Sequence, residues 1–270
     1  MTTSTILRVR GSRLFAGACL FAAALSLQSC STTSSTDNIK TGSIPTGLSK
    51  PVTEMNATEL NAAATRIGAA YAKDPNDRDA GLNYANLLRM TGKNDQALAV
   101  MQQVVIRHPK GSDVLAAYGK AQAAAGQLDA ALDTISRAER PDLPDWRLKS
   151  AQGAILDQLG RSTEARARYR EALDLKPNEP SVLSNLGMSY LLTKDLKSAE
   201  TYLRQAAAQP GADSSVRQNL ALVVGLQGRY PEAEQIARQE LSPTQAEANV
   251  KYLRSMMSQQ PTWKALKSQG

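Results

Sequence analysis

Small and apolar residues between positions 57 and 257 follow a pattern that returns every 34 residues, in units that begin at 78, 112, 146, 180 and 214 with no insertion. The eighth position of each unit holds Ala85, Gly119, Gly153, Gly187 and Ala221, and the twentieth holds Ala97, Ala131, Ala165, Ala199 and Ala233. Such residues belong where two helices cross, because helix backbones approach closely only over a short side chain. Gly92, Gly126, Gly160 and Gly228 stand at position fifteen, where a left-handed residue closes a helix. Lys194 takes that place in the fourth unit and is expected to strain its turn by roughly 1 kcal/mol. The pattern predicts two helices and a turn per unit. One period earlier, Ala63 falls at a small site and Pro75 at the unit's end, so residues 57–77 are expected to form a capping half-repeat with one helix over 57–73. Beyond the last unit, Pro243 opens a helix from about Thr244 to Met257, with Ala248, Tyr252, Leu253 and Met256 as its apolar side. It should cover the end of the stack. The third unit departs most from the pattern. Gln152 stands where the others carry Tyr84, Tyr118, Leu186 and Leu220, with Trp146 and Lys149 nearby, so its first helix is expected to be the weakest.

A second hydrophobic pattern lies at the N-terminus. Arg8, Arg10 and Arg13 precede an almost wholly apolar run over 14–27, and no acid interrupts them. A charged segment followed by an apolar one is the plan of an export signal. Fourteen residues make about 21 Å of helix, short of the roughly 30 Å of a bilayer's hydrocarbon core, so a permanent spanning helix is disfavoured. The segment ends in Leu27-Gln28-Ser29-Cys30, which resembles the lipobox of bacterial lipoproteins; Gln28 is a less usual residue at its place. The resemblance implies cleavage of residues 1–29 and a covalent lipid on Cys30. Multiple acyl chains anchor a protein durably, and Ser31 in place of aspartate points to the outer membrane. Cys19, the only other cysteine, leaves with the signal, so the mature chain has no disulfide and no other cofactor is expected. Residues 30–56 are rich in Ser, Thr, Gly and Pro and read as a flexible tether with a reach of roughly 25–30 Å.

Composition narrows the fold. Two Phe, two Trp and eight Tyr among 270 residues, with abundant Ala and Leu, suit close-packed helices. The formal charge of +7 falls to +4 once the three signal arginines leave, 29 basic against 25 acidic residues. No Lys/Arg run exceeds two residues, so nucleic-acid binding is not expected. His108, the single histidine, precedes Pro109 at a unit boundary and is read as solvated or capping. With one histidine and no free thiol, a transition-metal site lacks its usual ligands. The acids form no calcium loop. Gly225-Leu226-Gln227-Gly228 follows a helix and lacks G-K-[ST], so it is no phosphate loop. Neither an enzyme nor a small-molecule substrate is expected.

The 34-residue unit, its small eighth and twentieth positions, and Pro109 and Pro177 near position thirty-two resemble the tetratricopeptide repeat, a helix-turn-helix module. That resemblance implies an all-α solenoid, a right-handed superhelix of five repeats over 78–247, a capping helix over 244–258 and a tail over 259–270. It also implies a concave wall at unit positions two, five, six, nine, twelve and thirteen. Asn83, Asn86, Arg89 and Lys120 fall there first, followed by Asn185, Met188, Leu191, Leu192, Gln218, Asn219, Leu222 and Leu226. The wall grows apolar towards the C-terminus. Its leucines either line a peptide groove or pack against neighbouring helices. The stretch from Leu241 to Arg254, of the form L-x-P-x-Q-A-x-x-N-V-x-Y-L-R, with the lipobox and the five-repeat plan, resembles the TadD-like lipoproteins of the tight-adherence (Tad/Flp) pilus system. The function so implied is a membrane-held scaffold for assembling that pilus, with the outer-membrane secretin as its candidate partner. The alternative is an envelope adaptor that recruits peptidoglycan-processing enzymes.

Overall fold

A computed structural model describes residues 51–52 and 55–259. The expected signal peptide at 1–29, the expected lipid site Cys30, the expected tether up to residue 50 and the expected tail after 259 lie outside the described residues. Within the described residues there are twelve helices and no strand: α1 (Ala57–Lys73), α2 (Arg78–Met90), α3 (Asn94–Arg107), α4 (Ser112–Ala124), α5 (Leu128–Ala138), α6 (Trp146–Gln158), α7 (Ser162–Leu175), α8 (Pro180–Leu192), α9 (Leu196–Ala207), α10 (Ser214–Leu226), α11 (Tyr230–Ala237) and α12 (Pro243–Gln259). The first helices of the five units, α2, α4, α6, α8 and α10, start at the positions where the sequence period starts. Local chemistry sets those starts. Asp77, Asp145 and Asp213 accept hydrogen bonds from backbone N–H groups of α2, α6 and α10, and Pro180 occupies the first turn of α8. The aspartates satisfy donors that a helix start leaves unpaired, and the proline removes one such donor.

The turn inside each unit depends on backbone handedness. Gly92, Gly126, Gly160 and Gly228 have φ between 74° and 82°, and Lys194 adopts the same region at 65°. The substitution in the fourth unit is thus absorbed by the backbone and the turn is kept. The helix pair of each unit then closes over its small positions. Ala97, Ala131, Ala165, Ala199 and Ala233 are fully buried. A Cβ on Gly119 would lie 2.7 Å from Ile135, on Gly153 2.6 Å from the Tyr169 ring, and on Gly187 2.8 Å from Leu203. In these three units glycine at position eight makes room for the bulky residue at position twenty-four.

Helix α6 corrects the expectation of a weak third unit. It runs the same 13 residues as its counterparts, and Gln152 is buried, donating through Nε2 to Ser136 Oγ at 3.1 Å. Its Oε1 is left without a hydrogen bond, a local cost that the packing of the helix outweighs. At the C-terminal end, α12 packs on α10 and α11, where a sixth first helix would lie. Its buried side is Ala246, Val250 and Leu253, whereas Tyr252 is 67% and Met256 42% exposed and Ala248 is exposed. The sequence expectation for this side was thus right only at Leu253. The face is chosen by what α10 offers: Leu253 fits over Gly225, whose missing Cβ would sit 2.5 Å from it.

Each first helix packs on the next first helix, while successive second helices scarcely meet. The stack therefore curves with α2, α4, α6, α8, α10 and α12 on its inner side. No helix among the described residues is long and apolar enough to cross a membrane.

Candidate functional site

The inner wall divides into three parts with different chemistry. At the N-terminal part, Asn83 and Asn86 are half-buried and Arg89 is exposed at the end of α2, with Arg89 Nη2 donating to Asn86 Oδ1 at 2.9 Å. Lys120 stands exposed on α4 and has no hydrogen bond or ion pair among the described residues. The surrounding protein still lowers its pKa, by burial first and then by the charges of Arg89 and Arg147, against an opposing pull from Asp145. Burial lowers Arg89 as well. The register places Arg147 at wall position two and Met90 at position thirteen; the structure adds both to the site. Arg147 lies 4.6 Å from the Trp146 ring centroid and 3.6 Å from Asp145 Oδ1.

The middle part is a polar ladder. Asn185 Nδ2 donates to Ser150 Oγ and Asn219 Nδ2 to Ser184 Oγ, both at 3.2 Å and both one repeat back along the chain. These two asparagines stitch neighbouring repeats and keep their carbonyl oxygens and one amide N–H each for a ligand. Asp157 accepts from Ser189 Oγ at 2.8 Å and from Tyr169 Oη at 3.1 Å. Burial, and then Asp157, raise the Tyr169 hydroxyl above the ordinary phenol range. Arg166 completes the joint by donating to the Ser189 carbonyl at 2.8 Å and to Thr193, and by lying 4.0 Å from the Tyr190 ring centroid.

The C-terminal part is apolar, though narrower than the sequence pattern implies. Met188 and Leu191 pack against the cluster of Leu203, Leu220, Val223 and Val224, so they are core as much as wall. Leu192 is 61% and Leu222 36% exposed, Leu226 is half-buried, and Gln218 is exposed with its Nε2 donating to Ser214 Oγ at 2.9 Å. Arg254 of α12 lies over Tyr230 of α11 at 4.6 Å. Tyr252 and Met256 are on the opposite flank of that helix by its 3.6-residue period, the flank facing away from α11 and towards the inner side. They extend the apolar part by one helix. The period alone could have placed them, had the buried side of α12 been known.

His108 closes α3 and lies with Nε2 3.3 Å from the Asn76 carbonyl, tying the loop before α2 to the end of α3. Among the described residues no group of three His, Cys, Asp or Glu could hold a metal.

Family models described as tetratricopeptide repeat match residues 55–120 and 89–155, 150–215, and 216–239. A thermophilic tetratricopeptide-repeat protein of Thermus thermophilus superposes with a TM-score of 0.56 at 25% identity, covering 62% of this chain and 91% of its own. PilW, a type IV pilus biogenesis factor, superposes with a TM-score of 0.54 at 18% identity, covering 74% and 91%. Cellulose synthase operon protein C of Pseudomonas fluorescens (strain SBW25) is 29% identical over 155 residues, 54% of this chain; the match spans 12% of that protein's length.

Proposed function

The chain belongs to the tetratricopeptide-repeat family, and from that premise we propose that it is a protein-binding scaffold for assembly of a tight-adherence pilus, held at the outer membrane by lipid on Cys30. The observation that carries the pilus assignment is the stretch from Leu241 to Arg254. It forms the last loop and most of α12, so the residues that resemble tight-adherence lipoproteins build the end cap and one flank of the apolar wall. A generic repeat array needs only an apolar face there; this stretch also sets Tyr252 into solvent. PilW puts the same fold to type IV pilus biogenesis. The lipobox-like stretch Leu27-Gln28-Ser29-Cys30 supports the anchor in this reading. The secretin of the pilus machine is the partner this reading names.

A Cys30→Ala strain tests it. Outer-membrane fractionation of the protein and surface pili should both be lost, although the repeats still fold. A strain that keeps both removes the anchor from the mechanism. Co-purification from the wild-type strain separates the readings of partner: secretin or secretion-ATPase components support pilus assembly, and peptidoglycan hydrolases support the envelope-adaptor alternative.

A further inference from the structure

The wall changes character at α8. At unit positions two, five, six, nine, twelve and thirteen, α2, α4 and α6 mix three acids with three cations, whereas α8 and α10 carry no charged side chain there. Helix α12 continues this register when counted from Thr244. Its buried Ala246, Val250 and Leu253 then fall at positions three, seven and ten, where α10 buries Val216, Leu220 and Val223. In the fourth unit, positions four, eight and eleven face the unit's own second helix, Leu183 towards Ala206, Gly187 towards Leu203 and Tyr190 towards Tyr202. In α12 the same positions hold Glu247, Lys251 and Arg254, all exposed. A polar end face thus stops the stack from adding a further repeat. Wall positions nine and thirteen hold Met188 and Leu192 on α8, Leu222 and Leu226 on α10, and Tyr252 and Met256 on α12. These six make an uncharged apolar patch of two rows across three helices, and Leu192, Leu222, Tyr252 and Met256 leave it open to solvent.

We propose that this patch is covered by the chain's own segment after Gln259, seated through Trp263 and Leu266, so that a partner reaches the C-terminal wall only by displacing it. The displacement rests on the scaffold reading; the seating of the segment does not. The segment lies outside the described residues, but its point of departure is within them. Helix α12 ends at Gln259, three residues past Met256, so the chain leaves within one helical turn of the row at position thirteen. Pro261 has no N–H with which to extend α12, and the chain must turn off the helix axis there. First helices pack about 8–10 Å apart, which puts α10 and α8 about 9 and 18 Å from α12; an extended chain carries Trp263 about 13 Å and Leu266 about 23 Å beyond Gln259. The two large apolar residues that follow Pro261 therefore come within reach of α10 and α8 in order. A segment tethered this close meets the patch at an effective concentration on the order of millimolar, so weak apolar contacts keep it seated until a partner binds more tightly.

Trp146 and Trp263 are the two tryptophans of the chain, so Trp146→Phe leaves Trp263 as the sole reporter in the purified full chain in detergent. Its emission should lie at shorter wavelength than that of a synthetic peptide of residues 259–270 in the same detergent, and acrylamide should quench it severalfold less. Leu222→Asp and, separately, Leu192→Asp at a solvent-exposed site should return both readings to those of the peptide with no change in helix content. Ile106→Asp on α3 should leave them as they are. Emission equal to the peptide's before any wall substitution overturns the proposal. A shift that survives both wall variants overturns it too, because Trp263 is then buried in detergent or elsewhere on the protein. A shift that grows with protein concentration assigns the patch to a second copy and likewise overturns it. None of these readings involves the secretin, so a failure to co-purify it would count against the scaffold's partner and leave the seating of the segment standing.

Discussion

Lys194 holds a left-handed backbone, φ 65°, at a turn position that is glycine in the other four units. For a residue with a Cβ that region costs about 1–2 kcal/mol, and glycine's extra freedom in the unfolded chain returns about 0.5–1 kcal/mol of the gain on replacing it. Lys194→Gly should therefore stabilise the fold slightly, raising the thermal midpoint by about 1–4 °C. Gly160→Ala should do the reverse, and through conformation alone, because nothing lies within 4 Å of the added Cβ. Midpoints that move the other way would show that this turn is not held in the left-handed region. Tyr169 makes a second residue-scale prediction. Its hydroxyl titrates higher in the folded protein than the unfolded phenol value of about 10, owing to burial and then to Asp157. Above that pH the unfolded chain loses the proton while the native one keeps it, so stability is intact below about pH 10 and declines as pH rises further. Tyr169→Phe should make the alkaline decline shallower, by up to about 1.4 kcal/mol per pH unit. Equal alkaline slopes in chemical denaturation would contradict the buried Tyr169–Asp157 hydrogen bond.

At the scale of the helix, the unit is decided by two crossing points, one at position eight and one at position twenty. Ala165 is fully buried in α7, and its neighbourhood includes Tyr169, Ala172, Val182 and Leu186. Ala165→Leu must separate α7 from its neighbours and should cost about 1–3 kcal/mol, seen as a midpoint lowered by several degrees; an unchanged midpoint would mean Ala165 is not at a crossing. These crossings explain why the helix starts were legible in the sequence. A 34-residue period is a record of repeated contacts, so Gly119 against Ile135 and Gly187 against Leu203 leave the same signature in each unit. Helix α12 left none, because no later repeat constrains it. Its apolar residues exceed one face, and the choice of Ala246, Val250 and Leu253 over Tyr252 and Met256 depends on the groove at Gly225 in another helix. Gln152 was read as a weakness for a related reason: its hydrogen bond to Ser136 crosses from α6 to α5 and cannot be seen within one unit.

Over the whole stack, contacts run between neighbours only, and stability is close to a sum of units and interfaces. The polar joints mark those interfaces. Asn185 with Ser150, Asn219 with Ser184, and Glu200 with Arg229 at 2.7 Å each tie one repeat to the next. The candidate wall was legible as a set of positions, since the repeat register puts them on one side. Which members are free was not: Met188 and Leu191 are partly taken up by the core, while Leu192 and Leu222 stay open. The central claim is that this inner wall, and not the outer face, holds a component of the pilus machine. Co-purification of the secretin from a piliating strain tests it most directly, comparing Leu192→Asp with Leu222→Asp on the wall against Ile106→Asp on the second helix α3, where Ile106 is 72% exposed. The account predicts that the wall variant, folded and fractionating as wild type, loses the secretin while Ile106→Asp retains it. Retention by the wall variant with loss in Ile106→Asp would contradict it.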